Sequence, residues 1–342
     1  MRLRTSDPHR PGWRRVRHGR GFRYLGRDGR ALPPVERERV RALVIPPAWR
    51  DVWICPWPNG HIQAVGTDAA GRRQYLYHCD FRTRRDAAKH EHIRRIARSL
   101  PRLRERVAAD LDGHGLTRTR VLACLTRLLD LGFLRVGGES YARENSSFGL
   151  TTLLREHAAC RAGEIASHFP AKSGQEVDRT LVDEQAHAVV RALLRRADPS
   201  PRLFACWEHG AWHELHAEDL NAYLRDRSGQ DVTAKDFRTW YATVLAAVAL
   251  AVSARTSGAS PARRTRVVAR AVREVSGYLG NTPAVCRASS IDPRVIELYE
   301  GGETIAAALG ALGEDGVFGR PATHGRVERA VLRLLAPARR DG

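Results

Sequence analysis

The chain has 342 residues, 43% apolar and 28% charged, with a formal net charge of +19. That is enough apolar material for one large or two ordinary cores, and the charge points to a polyanionic partner and away from acidic binding roles. The longest apolar run, residues 244–252, is well short of the ~20 residues of a bilayer span, and the basic N-terminus lacks the apolar stretch of a signal peptide, so no membrane role is expected.

Taken in chain order, residues 1–50 hold 14 arginines and no lysine against four acids (Asp7, Asp28, Glu36, Glu38). The first dozen residues and the last few read as disordered tails. Short strand-like runs at 52–55, 61–65 and 74–78 are broken by Pro58-Asn59-Gly60 and Ala70-Gly71, so residues 1–85 read as a small β-rich lobe. A helix-friendly charged stretch, 83–100, opens a larger lobe, 86–337. Val121, Leu122, Leu125, Leu128, Leu129 and Phe133 recur at helical spacing, which predicts a core helix over 120–132. Runs 165–169 and 177–182 flank Pro170-Ala171-Lys172-Ser173-Gly174-Gln175, a β-hairpin pattern with Lys172 on the turn. Beyond Ala217 the pattern is helical: segments near 217–227, 233–254, 262–279 and 292–300, with 280–291 as a loop. The fold class is therefore α+β, a small β-rich lobe followed by a mostly helical one.

Of the 57 basic residues only Lys89, Lys172 and Lys235 are lysines. A guanidinium stays protonated at working pH, so a proton donor is a role that arginine cannot take over. Each lysine is thus a candidate general acid, although chance retention is the better explanation for any single one. The six cysteines are scattered without a CxxC pair, which fits a reduced cytosol and argues against structural zinc. His90 and His92 lack carboxylates at ligand spacing, and no GxxxxGK[ST] loop exists, so neither metal nor ATP is expected as a cofactor.

Four separated segments fit one chemistry. Phosphodiester transesterification needs a nucleophile, cations for the phosphoryl oxygens, and an acid for the departing oxygen. Phe133-Leu134-Arg135-Val136-Gly137, Lys172, Lys235-Asp236-Phe237-Arg238-Thr239-Trp240, and Gly280-Asn281-Thr282-Pro283 through Ser290 occur in that order. Together they resemble the active-site segments of type IB DNA topoisomerases of the bacterial and poxvirus-like kind. The resemblance covers roughly residues 21–335. It implies a C-shaped clamp around duplex DNA, catalytic roles for Arg135, Lys172, Arg238 and Asn281, and a nucleophile at position 290, where the family has tyrosine and this chain has Ser290. It further implies DNA contacts for Gln74, Tyr75, Tyr77 and Tyr141, no metal or ATP in the reaction, a monomer, and a cytoplasmic, nucleoid-associated location.

Serine at 290 is a poor substitute for tyrosine. Its oxygen falls roughly 4 Å short of a tyrosine hydroxyl by bond count, it is far less acidic, and it needs an adjacent base. No such base is visible: Asp292 lies two residues on but is not expected to serve. Neither Tyr299, ~14 Å away on a helix and half a turn out of phase, nor Tyr278, before the loop, is expected to stand in as nucleophile. Three readings follow: a topoisomerase with cleavage lost or much reduced, a DNA-binding pseudoenzyme, and a tyrosine-recombinase relative. The match in the first lobe argues against the third.

Overall fold

The computed structural model describes residues 2–254, 260–310 and 323–336. The chain forms two compact units, Met1–Glu91 and His92–Gly342, and is of mixed α+β class.

The first unit is built on an antiparallel five-stranded sheet of order β2-β1-β3-β4-β5, with β1 Trp13–His18, β2 Gly21–Leu25, β3 Arg50–Ile54, β4 Ile62–Thr67 and β5 Arg73–Tyr77. One helix, α1 (Pro34–Ala42), lies between β2 and β3 in sequence. Trp13, Leu32, Val40, Ile45, Val52, Ile54 and Ala64 make the core. The pair β1–β2 and helix α1 have no counterpart among the expected elements. For β1 the reason is Arg15, an inward-facing position in that strand. Its buried guanidinium donates to the carbonyls of Ile45, Pro46 and Trp49 and lies over the Phe22 ring. An arginine that satisfies loop carbonyls breaks the apolar alternation that marks a strand.

The expectation of a disordered first dozen residues is also corrected for residues 2–12. The Arg4 amide donates to the Asn59 carbonyl at 2.9 Å, and the Ser6 hydroxyl donates to the Ile62 carbonyl at 2.9 Å. The last few residues, 337–342, lie outside the described ones.

Helix α2 (Cys79–Leu111) contains the boundary between the units. The second unit continues with α3 (Arg118–Gly132), α4 (Glu139–Asn145), strands β6 (Ala158–Arg161), β7 (Glu164–Ala171) and β8 (Gln175–Val182), and α5 (Glu184–Arg195). A hairpin follows, β9 (Ala205–Glu208) and β10 (Ala211–Glu214), then helices α6 (Ala217–Ser228), α7 (Ala234–Ala254) and α8 (Pro261–Leu279). The chain closes with α9 (Pro283–Ser289), α10 (Pro293–Glu300), α11 (Ala306–Leu309) and α12 (Arg326–Leu334).

Helix α7 is long and apolar enough to cross a membrane by length and composition, but most of it is buried in the protein. It packs against α8, α10, α11 and α12. The expected helix at 120–132 is α3, whose residues 121–125 and 128–132 are buried and whose Thr117 hydroxyl caps the start. The stretch 280–291 is not a plain loop. Thr282 caps Val285 N–H and Pro283 opens a two-turn helix, the ordinary N-terminal pairing of a hydroxyl with a proline at the first position.

Candidate active site

Three pieces of chain converge in the second unit. The first is the segment after α3. Phe133 has a left-handed backbone (φ 53°) that turns the chain out of the helix. The Arg135 carbonyl then accepts from Leu150 N–H at 2.7 Å, and the Val136 carbonyl from Thr151 N–H at 2.7 Å. This pairing needs glycine on both sides: a Cβ at Gly149 would lie 2.4 Å from the Gly137 nitrogen. The glycine that closes the Phe-Leu-Arg-Val-Gly motif thus fixes the backbone on which Arg135 stands.

The second piece is the C-terminal end of α8, where three consecutive carbonyls each accept from a different arginine. Tyr278 O takes Arg179 Nη2 at 2.8 Å, Leu279 O takes Arg238 Nη2 at 2.5 Å, and Gly280 O takes Arg135 Nη2 at 2.8 Å. Terminal helix carbonyls have no partner within the helix and carry partial negative charge, so they hold guanidinium groups well. Arg238 also donates from Nη1 to Phe133 O at 2.6 Å, which joins the first piece to the second.

Asn281 completes the cluster. Its Oδ1 accepts from Arg135 Nη2 at 2.7 Å. A guanidinium only donates, so the facing atom must be the amide oxygen, and the amide NH2 is left as a donor.

The resulting cavity, of about 330 Å³, is lined by Arg135, Arg179 and Arg238, with Gln175, Tyr278 and a single acid, Glu176. Burial, with Arg135 adding repulsion, pulls the Arg238 guanidinium down to about 10. Burial also lowers Arg135. Both remain charged at neutral pH, so charge is concentrated here against the cost of desolvating it. A phosphate is the kind of group that repays that cost.

The third piece is the β7–β8 hairpin. Lys172 stands exposed on its 3-10 turn, as the sequence pattern predicts, with Ala171 and Gln175 on either side of the turn lining the cavity. The Lys172 ammonium lies 5.7 Å from the ring centre of Tyr141 on α4, and Tyr141 is itself exposed.

The structure joins Arg135 to Asn281 by a hydrogen bond and places Arg238 on the carbonyl next to the one that Arg135 holds. Ser290 is half-buried at the end of α9 and its N–H donates to Cys286 O at 3.0 Å; like Asn281 and Lys172, it is not among the residues that line the cavity. Asp292 does not serve it as a base. Its carboxylate accepts from Arg94 at 2.6 Å and from the Arg294 N–H at 3.1 Å, and it is buried as the cap of α10. Tyr299 is buried, whereas Tyr278 is exposed and lines the cavity.

In the first unit the edge strand β5 presents Tyr75 and Tyr77 on one face, their rings stacked with centres 6.1 Å apart. Gln74 points to the other face, where its amide donates to Asp68 at 2.9 Å. One group of potential metal ligands occurs among the described residues, His78, Cys79 and Asp80. Its His78 Nδ1 already accepts from the Asp80 N–H at 3.1 Å.

Residues 78–305 match the family described as "Eukaryotic DNA topoisomerase I, catalytic core", and residues 21–68 match "Bacterial DNA topoisomerase IB, N-terminal domain". The DNA topoisomerase 1B of Acanthamoeba polyphaga mimivirus is 30% identical over 269 residues, 77% of this chain and 80% of the viral protein. The chain belongs to the type IB DNA topoisomerase family. More distant type IB relatives include the DNA topoisomerase 1B of vaccinia virus (strain Copenhagen), 20% identical over 236 residues, 69% of this chain and 72% of the other. The "DNA topoisomerase I" of monkeypox virus matches to the same extent. The topoisomerase core match encloses Arg135, Lys172, Arg238, Asn281 and Ser290, whereas Gln74, Tyr75 and Tyr77 fall between the two matched stretches.

Arg179 and Gln175 are site residues that the sequence pattern did not single out. Neither stands in a recognisable motif. The only available signal was an even spacing from each other on the strand that leaves the lysine turn.

Proposed function

We propose that this chain binds duplex DNA as a type IB topoisomerase does, and that strand cleavage is lost or much reduced because Ser290 stands at the tyrosine position. The observation that carries this reading is that Arg135 and Arg238 are held side by side on the end of α8, with Asn281 bonded to Arg135, against a cavity lined by three arginines. In this assignment Arg135 and Arg238 hold two phosphoryl oxygens, the Asn281 amide donates to one of them, and Lys172 protonates the departing 5′ oxygen. Tyr75, Tyr77 and Tyr141 add contacts to backbone and bases, and Gln74 joins them only on releasing Asp68. Affinity falls steeply with salt as phosphate contacts release counterions. The protein acts as a monomer.

Ser290 supports the silenced state on two counts. Its oxygen falls roughly 4 Å short of a tyrosine hydroxyl by bond count, and the carboxylate nearest to it in sequence, Asp292, is committed to Arg94. A hydroxyl without a base and without reach gives no attack on phosphorus.

The deciding experiment is relaxation of supercoiled plasmid without ATP or magnesium, comparing the chain with Ser290→Tyr and with Lys172→Ala/Ser290→Tyr. Relaxation by Ser290→Tyr alone supports the assignment. Relaxation by the unmodified chain, leaving protein on a DNA 3′ phosphate, overturns it and points to Tyr278 as the nucleophile to test next.

A further inference from the structure

Of the three arginines on the end of α8, Arg179 has no part in the assignment above. It lies on β8, paired across the hairpin with Ser167 of β7. On the inward face of β8, Val177 and Leu181 pack against the core, and Arg179 stands between them. Its Nη2 donates to Tyr278 O at 2.8 Å, its Nη1 turns back to Asp178 O at 3.0 Å, and its guanidinium carbon lies 5.2 Å from the centre of the Tyr278 ring.

The two strands of this hairpin are held by different means. On β7, Phe169 and Ala171 are buried, and Phe148 N–H donates to Pro170 O at 2.9 Å. On β8, Arg179 reaches the end of α8, and the Gln175 side chain lies so close to Gly280 that a Cβ there would meet its Oε1 at 2.7 Å. So the strand leaving the Lys172 turn is fastened to the same helix end that holds Arg238, Arg135 and, one residue on, Asn281.

We propose that Arg179 is a positioning residue: by tying β8 to Tyr278 O it sets the Lys172 turn against a phosphate held by Arg135 and Arg238. The proposal rests on the functional reading above. In that chemistry the hydroxyl of a tyrosine at position 290 gives up its proton to solvent as its oxygen bonds to phosphorus, the P–O5′ bond breaks, and the 5′ oxygen takes a proton from Lys172. A duplex with sulfur in place of the bridging 5′ oxygen releases a thiolate, which needs no proton. An arginine that acts through Lys172 must therefore lose its effect on the sulfur substrate, whereas an arginine that holds the phosphate must not.

The test uses single-turnover cleavage by full-length Ser290→Tyr protein carrying Arg179→Ala, Arg179→Lys, Lys172→Ala or Arg135→Ala. Arg179→Ala should slow cleavage of the oxygen duplex by roughly 10–100-fold, as expected for misplacement of about 1 Å, and leave the sulfur duplex within about 3-fold of the parent. Arg179→Lys, which keeps a donor for Tyr278 O, should recover most of the loss, and Arg135→Ala should be slow on both substrates. Equal loss on both substrates for Arg179→Ala overturns the proposal. A second measurement in the unmodified chain stands apart from cleavage. Amide hydrogen exchange at 172–175 should rise in Arg179→Ala with the melting temperature unchanged, and unchanged exchange there also overturns the proposal. If Ser290→Tyr cleaves neither duplex, the functional reading fails, and the exchange result still decides whether Arg179 ties the hairpin.

Discussion

Arg135 and Asn281, 146 positions apart in the chain, meet through a 2.7 Å hydrogen bond from Nη2 to Oδ1. The same Nη2 also holds the Gly280 carbonyl, so the arginine and the loop that carries Asn281 are positioned by one group. Replacing Asn281 by Asp keeps the acceptor and adds a negative charge beside a guanidinium whose charge is already costly to bury. The ion pair gained in the free protein competes directly with a phosphate. Asn281→Asp should therefore leave folding stability unchanged or slightly raised and weaken duplex binding about tenfold, a loss of ~1.4 kcal/mol. Fluorescence anisotropy with a labelled duplex at fixed salt measures it, with Asn281→Ala expected to lose less than Asn281→Asp.

A second prediction concerns the support beneath the site. Phe133, whose carbonyl holds Arg238, packs its ring edge-on against Tyr241, with centres 4.6 Å apart. The Tyr241 hydroxyl donates to Asp130, and Arg104 bridges Asp130 at 2.8 Å and Glu328 at 2.6 Å. His324 lies 3.9 Å from Asp130 and stacks on Tyr241. Burial pushes the Asp130 carboxyl up, but Arg104 and His324 more than offset it, and the net shift is downward. Burial lowers His324. A carboxyl lowered in the fold stabilises above its unfolded value of about 3.9 and loses that contribution as pH falls below it. A histidine kept neutral by the fold costs stability as pH falls below about 6.5.

Acidification should thus weaken the protein in two stages, His324 first and Asp130 second. Asp130→Asn should remove the second stage and destabilise the chain at neutral pH by about 3 kcal/mol, because the half-buried Arg104 loses one of its two carboxylates. Denaturant midpoints from pH 7 down to the acid limit test this; an acid limb unchanged in Asp130→Asn would refute it.

What was legible in the sequence depended on whether a signal was local. The Lys172 turn could be read because proline, serine and glycine separate two alternating runs, and the structure has that hairpin. Helix α3 was legible from apolar spacing, and α7 and α8 from the breaks in sequence that bound them. Strand β1 was not, because Arg15 faces inward and finds its acceptors about 30 residues away, in the 45–49 stretch. The Arg104–Asp130–Glu328 cluster was not, because its members stand 26 and 224 positions apart. Arg179 escaped for a different reason. In a chain with so many arginines one more on a strand carries no signal, and only the fold shows that it shares a helix end with Arg135 and Arg238.

That helix end also makes Gly280 the most informative single position for testing the site's geometry. Its φ of 60° lies in the left-handed region, where it closes α8 through N–H bonds from Gly280 to Gly277 O and from Asn281 to Ser276 O. Alanine there carries a backbone penalty of about 1–2 kcal/mol. Its Cβ would also stand 2.7 Å from Gln175 Oε1, the far end of a flexible side chain that can swing aside. The two costs separate by double substitution. Gly280→Ala should lower stability by ~1–2 kcal/mol and weaken duplex binding several-fold, since Gly280 O and Asn281 both anchor Arg135. Adding Gln175→Ala removes the contact and leaves the backbone strain, so it should recover binding more than stability. Equal recovery of both would mean that side-chain crowding, and not the left-handed turn, sets the position of Asn281.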